Sequence, residues 1–171
     1  MTREELMKKY EFRDINPAET EEAIEIEQIC FPPNEACSPK SMRERIEACP
    51  ELFMVAIDRE SGVIAGFLNG VATDEDRFRD EFFTDISLHN PDGKHVMLLG
   101  LDVRPQHRGQ GLAREIVNQY EIRERAGGRS RLYLTCLEEK VEMYLKFGLT
   151  DNGMANSTWG GEAWHEMEIE L

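Results

Sequence analysis

The chain has 171 residues, is 40% hydrophobic and 32% charged, and carries a formal net charge of −14. That length supports one domain with a sizeable core, the acidic balance argues against nucleic acid as a partner, and no apolar run approaches the roughly 20 residues that span a bilayer. Cys30, Cys37, Cys49 and Cys136 form no Cys-x-x-Cys pair and the charged start Met1-Thr2-Arg3-Glu4-Glu5-Leu6 is no secretion signal, so free thiols in a reducing cytoplasm are expected.

Weak alternation over residues 10–15 predicts a first strand. Residues 17–30 read as a helix with Pro17 near its start and a stripe of Ala23, Ile26, Ile29 and Cys30, closed by Phe31-Pro32-Pro33. Ser38 suits an N-cap and Pro39 the first turn of a second helix running to Ala48. Residues 51–58 are an apolar strand buried on both faces, and residues 63–72 return as the second arm of a hairpin. Residues 74–93 form a long polar connection with a short helix near 77–83. Its Phe78, Phe82 and Phe83 either cover a substrate cavity or pack onto the core.

Residues 95–103 are the most apolar strand, and Gly100 within it marks a bulge or a close approach. A helix over 109–126 follows, with Leu112, Ala113, Ile116, Val117 and Tyr120 on one face and Gly127-Gly128 as its stop. Residues 131–136 are a strand. Residues 138–147 are a short helix with Val141, Tyr144 and Leu145 on one face, ended by Gly148. A Gly160-Gly161 turn between two further strands closes the chain. No linker or repeat divides the sequence, so 1–171 reads as a single α+β domain: a mixed, mostly antiparallel twisted sheet of about seven strands with about four helices.

The segment that carries chemistry is Leu101-Asp102-Val103-Arg104-Pro105-Gln106-His107-Arg108-Gly109-Gln110-Gly111-Leu112-Ala113. Strand, Gly-rich turn and helix start together make a phosphate site: the first helical N–H groups have no intrahelical partner and the helix dipole attracts an anion. No Gly-Lys-Ser/Thr follows, and the spacing is not Gly-x-Gly-x-x-Gly, so neither a P-loop nor a dinucleotide fingerprint is present. Residues 94–131 hold eight Lys/Arg against four acids, whereas the remainder holds 12 basic and 30 acidic residues. A polyanionic cofactor at the basic segment and a cationic substrate drawn to the acidic remainder follow from that split.

The strand followed by Arg108-Gly109-Gln110-Gly111-Leu112-Ala113 resembles the coenzyme A pyrophosphate loop of the GNAT acetyltransferase superfamily. The element order from about residue 10 to 171 is similar as well, and Tyr144-Leu145-Lys146-Phe147-Gly148 resembles that superfamily's Tyr-x-x-x-Gly-Phe signature. Within it, Glu25-Ile26-Glu27 leading to Phe31, Cys49-Pro50-Glu51-Leu52, and Ser87-Leu88-His89-Asn90-Pro91-Asp92-Gly93 are most similar to the arylalkylamine (serotonin-type) N-acetyltransferases.

The resemblance implies acetyl-CoA as cosubstrate, held by Leu101, Asp102, Val103 and residues 108–113, with the Leu101 N–H as oxyanion donor. It implies Phe31, Pro39 and Trp164 around the acceptor, Tyr144 as proton donor to the leaving thiolate, and no metal. One departure stands out: Met97 and Leu99 occupy the positions of that branch's two relay histidines. His89, His95, His165 and Glu27 are the remaining candidates for a base, beside a water chain, and His107 flanks the phosphate loop. The acceptor is expected to be a small cationic primary amine. A protein or peptide amine, a non-catalytic acyl-CoA-binding module, and a homodimer stay open.

Overall fold

Local signals set the ends of the first elements. Thr2 and Glu5 make a reciprocal capping box that starts helix α1 (Arg3–Lys9), which leads directly into strand β1 (Tyr10–Asp14). Asn16 caps a turn of 3-10 helix over Pro17–Glu19, and helix α2 (Thr20–Cys30) continues from it. Ser38 accepts the Ser41 N–H at 3.1 Å and Pro39 opens helix α3 (Pro39–Ala48). The computed structural model describes every residue, Met1–Leu171. Its remaining elements are β2 (Phe53–Asp58), β3 (Ile64–Thr73), α4 (Glu81–Thr84), β4 (His95–Val103), α5 (Leu112–Ala126), β5 (Arg131–Cys136), α6 (Glu138–Lys146), β6 (Thr150–Met154) and β7 (His165–Glu170).

The strands form one seven-stranded sheet in the order β1-β2-β3-β4-β5-β7-β6. The β1/β2, β2/β3, β5/β7 and β6/β7 pairs are antiparallel, and β4/β5 is the parallel pair. This is the mixed α+β architecture read from the sequence, with six α-helices rather than about four. Contacts divide the chain into two compact units. One holds Met1–Asn69 and Gly100–Tyr120; the other holds Gly70–Leu99 and Glu121–Leu171.

In the first unit, Leu6, Tyr10, Ile26, Met42, Phe53, Phe67 and Ile116 are buried. The Phe53 and Phe67 rings lie 4.9 Å apart, each side chain gaining about 1.5–3 kcal/mol from burial. The Tyr120 hydroxyl donates to the Leu52 carbonyl at 2.9 Å, which satisfies the one polar atom of a fully buried ring. Glycine is required in β3. A Cβ at Gly66 would stand 2.5 Å from the Asp102 carbonyl oxygen, so β3 runs against the end of β4 with no room for a side chain.

In the second unit, Phe78, Phe82, Val96, Met97, Leu132, Tyr133 and Met167 are buried. The Phe78 ring packs on both Phe82 and Phe83, and Phe83 stacks on Trp159 with centroids 4.4 Å apart. These phenylalanines are buried and packed on one another within the second unit. The Asp80 carboxylate accepts the Ser157 hydroxyl and the Thr158 N–H, tying the 74–93 connection to the turn before β7.

Three local expectations are corrected. The short helix of the 74–93 connection lies at Glu81–Thr84, later than read. Ile29 and Leu145, assigned to apolar faces, are exposed, while Ile24 and Glu27 are buried in α2. The stretch 109–111 is not helical, because Gly109 and Gly111 hold φ of +77° and +90°.

Candidate functional site

The Gly-rich turn is built from the first unit alone. The first bond of the α5 ladder runs from the Glu115 N–H to the Gly111 carbonyl, so the N–H groups of Leu112, Ala113 and Arg114 precede it. The two left-handed glycines let the chain reverse into that 15-residue helix. Arg108 is exposed and its Nε donates to the Val103 carbonyl at 2.9 Å. Gln110 Nε2 donates to the Tyr10 hydroxyl and to the His107 carbonyl, each at 2.8 Å, and the Tyr10 hydroxyl lies 2.6 Å from His107 Nδ1. Burial pushes His107 below the ordinary histidine value, against the opposing pull of Asp58. His107 is thus a strut between the loop and β1, held by the Tyr10 hydroxyl. Tyr10, its partner, is not marked by any local motif.

The charge of the basic segment is sorted by depth. All four of its acids, Asp102, Glu115, Glu121 and Glu124, are buried. Lys94, Arg108, Arg114, Arg125 and Arg131 are exposed. Water therefore meets the cations of this segment and not its acids, which sharpens the positive field there.

Leu101 and Gly100 on β4 are partly exposed, whereas Asp102 is 1% exposed. The Asp102 side chain is thus enclosed within the first unit. That side chain meets Glu27 of α2, itself 2% exposed. Burial, and then the adjacent Glu27, hold the Asp102 carboxyl well above the usual carboxylate range. Asn69 completes the group: its Nδ2 donates to the Gly100 carbonyl at 3.3 Å and its Oδ1 accepts from Arg45 at 3.1 Å.

The other expected residues are spread between the units. Phe31 caps α2 and is half-buried; Pro39 is exposed at the start of α3. Tyr144 and Trp164 belong to the second unit. Tyr144 is buried on α6 with its ring edge-on to Phe147, and its carbonyl accepts the Leu149 N–H across the Gly148 turn. Trp164 is half-buried and donates from Nε1 to the Trp159 carbonyl at 2.8 Å. Of the histidines of this unit, His89 Nδ1 accepts the Ala72 N–H, His165 lies 3.2 Å from the Asp151 carboxylate, and His95 packs edge-on against Tyr133 with its buried Nδ1 unpaired. Met97 and Leu99 are buried. No group of three or more His, Cys, Asp or Glu is placed to hold a metal ion, and no helix is long and apolar enough to cross a membrane.

The fold, the glycine turn and the α6 signature together define an acyl-transfer class. The family model of the acetyltransferase (GNAT) family matches residues 20–149, and the chain belongs to that family. No curated protein matches it in sequence. Among solved structures it is similar to the loading GNATL domain of CurA from Lyngbya majuscula, with a TM-score of 0.79, 14% identity, and 94% of this chain and 97% of that one covered. It is similar to a GNAT-like decarboxylase, GphF, in complex with isobutyryl-CoA, at a TM-score of 0.77 and 16% identity over 94% and 98% of the two chains. A third similar structure is yncA, a putative acetyltransferase from Salmonella typhimurium with its cofactor acetyl-CoA, at a TM-score of 0.63 and 18% identity over 95% and 94%.

Proposed function

We propose that this protein moves an acetyl group from acetyl-CoA to a small primary amine that is cationic in water, by direct attack of the amine nitrogen. The observation that carries this reading is the turn of Gly109 and Gly111 at the head of α5, inside a segment that exposes its cations and buries its acids. The backbone N–H groups of 111–113 hold the pyrophosphate, and the edge of β4 at Leu101 and Val103 holds the thioester arm. The Leu101 N–H stabilises the oxyanion. Tyr144 supplies a proton to the departing sulfur, since a phenol stays protonated at neutral pH. Phe31, Pro39 and Trp164 offer the apolar surface for the rest of the amine.

The acidic remainder of the chain supports a cationic acceptor. A second reading, an acyl-CoA-binding module without turnover, draws on Met97 and Leu99, which cannot accept a proton. Thiol release from acetyl-CoA across a panel of small amines, amino acids and peptide N-termini separates the two. We expect turnover with small cationic amines. Tight acetyl-CoA binding by calorimetry with no thiol release from any acceptor would establish the binding module instead.

A further inference from the structure

Glu115 is an acid in the first turn of α5, one turn from Gly111, and it is 3% exposed. Side chains of a helix lean toward its N-terminus, so this carboxylate is directed to the end that the proposed function gives to the pyrophosphate. A first-turn acid favours the helix, because it meets the positive end of the dipole. It opposes a second anion at that same end, and a carboxylate shut off from water is poorly screened. The phosphate site therefore carries a charge that works against its ligand.

That charge is met from the other end of the chain. Arg3 Nε donates to Glu115 Oε1 at 2.8 Å, across 112 positions of sequence. Hydrogen bonding alone does not require the contact. Gln119 Nε2 donates to Oε1 at 2.9 Å and Asn118 Nδ2 donates to Oε2 at 3.3 Å, both from α5 itself. What the guanidinium adds is charge.

Helix α1 is built to bring Arg3 there. The Thr2 and Glu5 capping box fixes the helix start one residue before it. Leu6, one turn on, is 4% exposed and lies 3.7 Å from where a side chain at Gly111 would begin. Lys9 Nζ donates to Gln110 Oε1 at 3.4 Å, and the Lys9 carbonyl accepts the Arg59 N–H at 3.0 Å. Residues 3, 6 and 9 recur at one-turn spacing, so a single face of α1 lies along the glycine turn and the head of α5.

We propose that Arg3 is a positioning residue of the coenzyme site: held by α1 against Glu115, it cancels that acid's charge at the head of α5 and so lets the pyrophosphate bind there. The proposal rests on the acetyl-CoA site of the proposed function. It adds to that site a determinant outside the glycine turn, on an element that the turn's motif does not mark. Arg3 acts through Glu115, so its loss is read in coenzyme affinity.

Calorimetric titration of acetyl-CoA into the whole chain at low salt tests this. Arg3→Gln leaves the carboxylate uncompensated, and Kd should rise about three- to tenfold, the range for one charge near a helix end. Arg3→Lys keeps the charge and should keep most of the affinity. Glu115→Gln removes the acid, and Kd should equal the wild-type value or lie below it. The decisive variant is the double, Arg3→Gln with Glu115→Gln. With no acid to cancel, the arginine is dispensable, and Kd should return to that of Glu115→Gln alone. A tether that merely holds α1 in place would leave the double variant as weak as Arg3→Gln. The Arg3 side chain is 60% exposed, so its variants should fold, and thermal melts check that. Recovery in the double variant supports the proposal. An unchanged Kd in Arg3→Gln, or a double variant as weak as Arg3→Gln, overturns it and leaves the coenzyme site standing. A wild type that binds no acetyl-CoA overturns both.

Discussion

At the scale of single residues, Tyr144 and the Glu27–Asp102 pair show opposite kinds of visibility. Tyr144 is marked by a local resemblance, with Gly148 four residues on and Leu149 at the position of the signature's Phe, and a six-residue window contains it. We expect Tyr144→Phe to lower kcat about ten- to a thousandfold with little change in acetyl-CoA affinity, because the ring packing is kept and only the hydroxyl is lost. Steady-state kinetics beside calorimetry tests this, and an unchanged kcat would reduce Tyr144 to a core residue. Glu27 and Asp102 come together across 75 positions of sequence, so no window contains both. Asp102 sits between Leu101 and Val103, and strand alternation turns its side chain inward, away from the surface the motif occupies. Tyr10, His107 and Gln110 form a contact of the same non-local kind.

Among elements, legibility follows the strength of the periodic signal. β2 and β3 are apolar almost throughout and were readable to within one or two residues. Helix α1 was not, because Leu6 is its one buried residue and a single apolar position has no period. Its Thr2 and Glu5 capping box was the available signal. The exposed Ile29 and Leu145 show a second limit: in short helices an apolar residue one position off the stripe is indistinguishable from one on it.

The turn before α5 supplies the prediction at this scale. Gly111 has φ of +90°, and the nearest atom to an added Cβ is the Leu6 side chain at 3.7 Å. Space is adequate, so Gly111→Val acts through backbone strain, about 1–3 kcal/mol. The variant should fold with a modestly lower Tm and lose acetyl-CoA affinity by calorimetry. Undiminished affinity in a folded variant would move the phosphate site elsewhere.

For the whole molecule, charge is the property that composition reveals and structure refines. The net charge of −14 sets the sign of the far field, while depth sorting in residues 94–131 reverses it locally. With acetyl-CoA saturating, kcat/KM for a dicationic amine should fall several-fold between about 10 mM and 150 mM salt, as the Debye length shrinks from roughly 30 to 8 Å. A neutral-headed analogue should show almost none of that fall. Equal salt response for both would remove steering from the account. What composition and periodicity do not reveal is how the two units share the chain. Each is assembled from two separated stretches, and the backbone passes from one to the other at 69/70, 99/100 and 120/121. During synthesis, the first unit stays incomplete until residue 120 has left the ribosome, by which time much of the second has been made. Joining its two stretches means closing the intervening Gly70–Leu99 segment, at an entropic cost of about 3 kcal/mol for a flexible loop of that length. A cut between Asn69 and Gly70 therefore leaves the first unit without its second stretch, Gly100–Tyr120.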